Sequence, residues 1–263
     1  MHSPLLHYNP GWLIIATIIK SSDTVALVTG ANRGIGRAFV EQLAAAGTKR
    51  IYAAARDTAS LDSLLADLPK TVVPLRLDLT DQASIVAAAA IANDVNLLVN
   101  NAGVVSAFGR ITEQENLDGA RHEMNVNYFG LLGMTRAFEP ILAKNAPSAL
   151  VNVLSIASII ALPNIATYSA SKAAALAATR AIRAELQPKN VRVVAVMPGF
   201  VDTDMARAVE QPKIAPADVV RAALRAVEDG TEDVYPGEQA QSLLSAYFDD
   251  HKALEKGMAG ARI

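Results

Sequence analysis

From Thr24 onward the chain alternates between two hydrophobic rhythms. Short runs rich in β-branched residues fall at 25–29, 50–54, 72–77, 97–100, 149–154 and 191–196. Several are apolar at consecutive positions, as strands buried on both faces are, so they predict a parallel sheet. Between them lie alanine-rich stretches at 36–46, 61–68, 82–92, 121–142 and 165–185, whose length and spacing predict helices. Strand, helix and strand in repetition imply an α/β fold with helices on both sides of the sheet. A further helix is expected at 217–227 and a last short strand at 234–236. No linker, repeat or low-complexity segment breaks the series. Residues 23–263 therefore read as one domain, and 1–22 as a flexible or peripheral extension.

Composition narrows the function. With 51% hydrophobic residues in 263, a large core is available, and only 19% of residues are charged. A net charge of −2 without a basic run argues against nucleic-acid binding. The absence of cysteine removes disulfides, thiolate catalysis and cysteine-based metal sites together. The four histidines, His2, His7, His122 and His251, are scattered without ligand spacing, so no metal is expected. The apolar run at 12–19 is shorter than the roughly 18–20 residues that span a bilayer. It also lacks a preceding Lys or Arg. A cytoplasmic enzyme without a membrane span is the expectation.

The first chemical signal follows the first strand. Gly30, Gly34 and Gly36 are spaced Gly-x-x-x-Gly-x-Gly and open the first helix. Glycine lets backbone approach a pyrophosphate, and the free N–H groups of the helix start then point at the anion. At the end of the second strand, Ala55 stands where an acid would bind the adenosine ribose hydroxyls. Arg56 follows it, and Arg33 lies in the glycine turn. Two guanidinium groups near one predicted 2′-phosphate favour NADP(H) over NAD(H). Asp57 would favour NAD(H) if the register moved by one residue. Asp78, beside Leu79 at the end of the third strand, can accept from the adenine amino group. Thr80 or Asp81 is expected to cap the next helix.

The second signal is Tyr168-Ser169-Ala170-Ser171-Lys172. Tyr168 and Lys172 are four apart and project from one helix face. An ammonium there is expected to lower the phenol pKa from its ordinary value near 10, making Tyr168 a usable acid and base. Ser155 ends a strand thirteen residues earlier and can hold a substrate oxygen, with Ser158 as the competing hydroxyl. Asn127 falls inside the predicted long helix, where an amide is a poor choice unless it has work to do, such as holding a water linked to Lys172.

These residues together resemble the short-chain dehydrogenase/reductase family. The matching motifs are TGANRGIG at 29–36, NNAG at 100–103, Asn127, Ser155, YSASK at 168–172 and PGFVDT at 198–203. They occur in the family's order and cover about residues 24–235. The resemblance implies a Rossmann-type, doubly wound parallel sheet of about seven strands and a catalytic set of Asn127, Ser155, Tyr168 and Lys172. It implies a cofactor held by Gly30, Asn32, Arg33, Gly34, Ile35 and Gly36 in the turn. Arg56, Asp78, Leu79, Asn101, Ala102 and Gly103 would serve the adenosine side. Pro198, Gly199, Val201 and Thr203 would border the nicotinamide, with Tyr168 and Lys172 touching it as well. A homodimer or homotetramer through the helices at 121–142 and 165–185 is also implied.

The expected reaction moves a hydride between the nicotinamide and a carbonyl or alcohol, with Tyr168 exchanging the proton. The substrate is expected to be small and partly apolar, against Ile156, Asn164, Ile165, Phe200 and Met205. The lid segment after Thr203 is short, which predicts a pocket left open or completed by a partner. The cluster Asp249, Asp250, His251 and Lys252 reads as solvated. A nucleotide-sensing regulator would bind cofactor without turnover and need not keep the four catalytic residues. A sugar-nucleotide epimerase would show Gly-x-x-Gly-x-x-Gly and a larger C-terminal domain.

Overall fold

The structure, a computed structural model, describes residues 21–259. The expected extension at 1–22 lies, up to residue 20, outside the described residues. The elements run β1 (Val25–Thr29), α1 (Gly34–Ala45), β2 (Arg50–Ala55), α2 (Asp62–Leu65), β3 (Val72–Arg76), α3 (Gln82–Ile91), β4 (Leu97–Asn100) and α4 (Asp118–Glu123). They continue with α5 (Leu131–Lys144), β5 (Ser148–Val153), α6 (Ala166–Leu186), β6 (Val191–Val196), α7 (Pro216–Asp229), β7 (Asp233–Val234) and α8 (Glu238–Met258).

All seven strands pair in parallel in the order β3-β2-β1-β4-β5-β6-β7. One apolar layer lies under α1 and α7, with Phe39, Leu43, Val219 and Ala223 packed on Val28, Val151 and Val194. The other lies under α3, α5 and α6, with Ile85, Phe138 and Leu176 on Leu27, Leu98 and Leu150. Neighbouring strand residues feed opposite layers, which is why the strands look apolar throughout. Order reverses between β1 and β4, and in open parallel sheets the crevice at that switch point is where ligands bind. Among the described residues, no helix is long and apolar enough to cross a membrane.

A polar seam runs through this core. Asn100 Nδ2 donates to Asn152 Oδ1 at 3.0 Å, and Asn152 Nδ2 donates to Thr179 Oγ1 at 2.9 Å. Asn152 and Thr179 are both 0% exposed. The seam ties β4, β5 and α6 together just below the ends of the central strands. Replacing Asn152→Ala is expected to strand the Asn100 amide and cost about 1–3 kcal/mol. Thermal unfolding measures it, and a melting temperature equal to the parent's would contradict the account.

Three regions differ from the sequence expectations. The stretch expected as one helix over 121–142 is α4, a π-helical turn at Met124–Gly130 and α5. Gly130 allows this wider turn to lie close, since a Cβ there would fall 2.8 Å from Leu79 Cβ. The stretch at 61–68 yields only a 3-10 turn at Thr58–Leu61 and the single turn of α2. The C-terminal stretch, where only the cluster at 249–252 carried an expectation, is the long helix α8. It turns sharply at Asp250, which leaves helical geometry, and Asp250 Oδ1 accepts from the N–H groups of Lys252 and Ala253, each at 3.0 Å. The four charged residues at 249–252 are exposed, as expected.

Candidate active site

The site begins with the turn after β1. Gly30 and Gly34 adopt φ of +65° and +55°, a region where a side chain is strained. Gly36 is needed for a different reason. A Cβ there would overlap the Gly30 carbonyl oxygen and sit 2.5 Å from Asn101 Nδ2. Arg33 occupies the N-cap of α1 without a side-chain cap hydrogen bond, so the helix presents bare N–H groups toward the cleft. Asn101 supports the turn from β4: its Nδ2 donates to the carbonyls of Thr29 at 2.9 Å and Gly30 at 3.3 Å. Thr29 Oγ1 accepts from the N–H groups of Asn101 and Ala102 at 2.9 and 3.0 Å. This scaffold holds an N–H-lined cradle in which a dinucleotide pyrophosphate fits.

A cleft of about 630 Å³ opens over the turn. Asn32, Arg33, Gly34 and Ile35 line it from the turn, and Arg56, Asp78 and Leu79 from the ends of β2 and β3. Asn101, Ala102 and Gly103 come from the segment after β4, and Pro198, Gly199, Val201 and Thr203 from the loop after β6. Gly30, Ser155, Tyr168 and Lys172 line it as well. Two of the expected catalytic and cofactor residues do not. Gly36 lies beneath the turn, and Asn127 is buried behind the wall at 3% exposure.

The cation and acid positions are also clear. β2 ends at Ala55, and Asp57 caps the following 3-10 turn by accepting from Ala59 N at 3.0 Å. Arg33 is 68% exposed at its side chain and pairs with Asp204 at 3.4 Å. A surface pair of this kind is worth at most about 1 kcal/mol, so Arg33 can exchange it for a phosphate. Asp78 Oδ1 accepts from Thr80 N at 2.9 Å and Thr80 Oγ1 at 2.7 Å, which holds its carboxyl below the usual range. Asp81, rather than Thr80, caps α3 by accepting from Ala83 N.

Tyr168, Ser155 and Lys172 meet at the far end. Ser155 follows β5 and accepts from Ala157 N at 3.1 Å. Its hydroxyl acts on the Tyr168 phenol, favouring release of the proton. Ser158 is buried, its hydroxyl has no partner among the described residues, and it does not line the cleft. Lys172 Nζ donates to the Val153 carbonyl at 3.1 Å and lies 5.8 Å from the Tyr168 ring centroid.

Electrostatically the pair departs from expectation. Burial pushes the Tyr168 phenol up to about 12, opposed by the Ser155 hydrogen bond and reinforced by the charge of Glu123. Burial also pulls the Lys172 ammonium down to about 8. The lysine is not among the causes acting on the phenol; both groups lose water on burial, which disfavours the charged form of each.

Asn127 is tied into the cleft wall by its amide. Its Oδ1 accepts from Val104 N at 2.8 Å, and its Nδ2 donates to Val104 O and Ser171 Oγ, both at 2.9 Å. The amide clasps the cleft wall to α6 and spends both donors doing so. A Cβ at Gly103 would lie 3.2 Å from both Asn127 Oδ1 and Lys172 Nζ, so the three pack directly.

Several lining residues escaped sequence reasoning. Val105 and Phe108 reach in from the loop after β4, and Gln239, Leu243 and Met258 from α8. Gln239 Oε1 accepts from Phe200 N at 2.8 Å and anchors α8 beside Gly199. The spacing of Ala240, Leu243, Leu244 and Tyr247, at i, i+3, i+4 and i+7, was the readable signal for this wall. The chain's own C-terminal helix forms one wall of the cleft. Ile156, Ile165, Phe200 and Met205 line it, but Asn164 does not; its carbonyl accepts from Gly109 N at 2.9 Å.

Comparison with known proteins agrees with this geometry. A family model described as short chain dehydrogenase matches residues 24–214. The chain is 34% identical over 250 residues to 1-deoxy-11-beta-hydroxypentalenate dehydrogenase of Streptomyces avermitilis, covering 89% of this chain and 93% of that one. A short chain dehydrogenase from Burkholderia cenocepacia, solved in complex with NADP, superposes with a TM-score of 0.86 at 42% identity, covering 92% of this chain and all of that one. A Burkholderia phymatum short chain dehydrogenase/reductase in complex with NAD superposes with a TM-score of 0.81 at 26% identity, over 90% of this chain and 97% of that one. This chain belongs to the short-chain dehydrogenase family and is a nicotinamide-dependent oxidoreductase acting between hydroxyl and carbonyl groups.

Proposed function

We propose that the protein is an NADP(H)-dependent carbonyl reductase for a neutral, largely apolar ketone or aldehyde. The observation that carries this reading is the meeting of Ser155, the protonated phenol of Tyr168 and Lys172 in one cleft with the bare start of α1. A nicotinamide bound there supplies the hydride to the carbonyl carbon. Tyr168 gives its phenolic proton to the carbonyl oxygen, and Ser155 holds that oxygen during the transfer. With the phenol near 12, Tyr168 carries its proton at neutral pH, the form that reduction needs. Lys172 would hold the cofactor through its ribose, and Asn127 keeps the wall and α6 in register. In the other direction the phenolate takes the proton back.

The apolar wall of Val105, Phe108, Ile156, Leu162, Leu243 and Met258 supports an uncharged substrate. NADP(H) is favoured by Arg33 and Arg56 at the cleft and by the absence of an acid at Ala55. The more similar of the two solved relatives is the one in complex with NADP. Residues from 23 onward form the catalytic domain. The enzyme works in the cytoplasm as a homodimer or homotetramer.

Oxidation of NADPH at 340 nm with a panel of ketones, aldehydes and quinones tests the reading. Cofactor binding without any turnover would point to a regulator, and product formation without net absorbance change to an epimerase. Replacing Arg56→Ala is expected to raise the KM for NADPH about 10-fold, the value of one charge-assisted hydrogen bond. NADH kinetics should stay as they are. An equal effect on both cofactors would refute the phosphate assignment.

A further inference from the structure

Gln239 stands in the first turn of α8 and lines the cleft four residues before Leu243, on the same helix face. Its amide has a fixed orientation. Oε1 accepts from Phe200 N at 2.8 Å, and a Cβ at Gly199 would overlap that oxygen, so the oxygen end lies against the backbone at 199–200. Only the oxygen of an amide accepts, which leaves Nε2 as the end free for the cleft. No acceptor among the described residues takes the Nε2 hydrogens.

That donor stands in an apolar wall. Val105, Phe108, Ile156, Leu162, Leu243 and Met258 offer no hydrogen-bond donor from their side chains. Ser155 and Tyr168 are committed to the reacting oxygen. Gln211, the other glutamine at the cleft, is exposed, whereas Gln239 is half-buried. Its neighbour Ala240 is 0% exposed and packs in the same apolar cluster as Tyr168 and Ile156. Gln239 therefore belongs to the substrate side. A half-buried N–H without an acceptor loses hydration with nothing in exchange, and an oxygen of the bound substrate can supply the acceptor. An uncharged oxygen suits it better than a carboxylate. The cations lining the cleft, Arg33, Arg56 and Lys172, are those assigned to the cofactor, so an enclosed carboxylate on this wall would lack a counter-charge.

We propose that Gln239 is a specificity-determining residue that donates through Nε2 to a second, uncharged oxygen of the substrate. The preferred substrates are then keto esters, diketones or hydroxy ketones, ahead of plain ketones of the same length. The proposal rests on the reading of the protein as a carbonyl reductase and sharpens its substrate class.

A substrate series of matched chain length tests it: a plain methyl ketone, keto esters with the ester moved stepwise away from the ketone, and hydroxy ketones with the hydroxyl at the same positions. NADPH oxidation gives kcat/KM for each. The parent is expected to favour the best keto ester and the best hydroxy ketone over the plain ketone by about tenfold, the value of one neutral hydrogen bond. Gln239→Glu keeps an oxygen for Phe200 N and puts a second acceptor where the donor stood. Its preference for the keto ester over the plain ketone is expected to fall about tenfold, because two acceptors then face each other. Its preference for the hydroxy ketone stays, because a hydroxyl can turn and donate to the carboxylate. Gln239→Leu loses both preferences.

A glutamine that only anchored α8 would leave both preferences of Q239E like the parent's, since the acceptor for Phe200 is retained. That result overturns the proposal, as does a parent enzyme that reduces the plain ketone as efficiently as every substituted one. Either outcome leaves the carbonyl reductase reading standing. If Q239E does not fold, the parent series and Q239L decide in the same way. A parent that reduces no member of the series refutes the carbonyl reductase reading, and the proposal falls with it.

Discussion

Tyr168→Phe is expected to lower kcat/KM for ketone reduction by about 1000-fold, within the range that a positioned proton donor contributes. The substitution removes one oxygen from a ring that is 8% exposed. Ser155 accepts from Ala157 N and so keeps a partner when the phenol is gone. The melting temperature should therefore move little, by the equivalent of about 1 kcal/mol or less. NADPH affinity should stay within twofold, because the pyrophosphate cradle lies at the other end of the cleft. Steady-state kinetics with a fluorescence titration of NADPH gives both numbers. A folded variant with parental turnover would show that the proton comes from another group.

Gly36→Ala should strike at the opposite end and fail differently. Its Cβ has nowhere to go: it overlaps the Gly30 carbonyl oxygen and falls 2.8 Å from the carbonyl carbon and 2.5 Å from Asn101 Nδ2. Backbone on either side must shift, which costs about 1–3 kcal/mol of stability. The same shift displaces the N–H groups of the turn and the Asn101 strut. A displacement near 1 Å is enough to reduce kcat/KM about 100-fold, with NADPH affinity falling in parallel. Gly47→Ala is the control. Gly47 has φ of +75° but nothing within 4 Å of a Cβ, so it costs about 1–2 kcal/mol of strain and leaves cofactor affinity alone. If Gly36→Ala binds NADPH like the parent, the close packing under the turn is not what shapes the cradle.

Much of the cofactor half was legible residue by residue. Gly30, Gly34, Arg33 and Arg56 are close to their strands in sequence, so spacing from the end of β1 or β2 placed them. The end of β2 was open between Ala55 and Asp57. Pairing with β1 and β3 resolves it, with Ala55 as the last strand residue. Asn127 was readable as an anomaly in a helix but not as what it is. Its role depends on Val104 and Ser171, 23 residues before it and 44 after, and on a π-helical turn that no local preference announced.

The parallel strands, the glycine turn and the Tyr-x-x-x-Lys face were determined by the sequence alone. Each is a short-range pattern, and apolar runs buried between two helix layers leave few other arrangements. Tertiary structure alone decided the proton affinities of Tyr168 and Lys172, since these follow from how much water the surrounding elements exclude. It likewise decided that α8 returns at Asp250 to bring Met258 to the cleft, and that Glu123 is buried against the loop at 106–107. Charge in a folded interior depends on distant neighbours brought close, and spacing along the chain does not encode them.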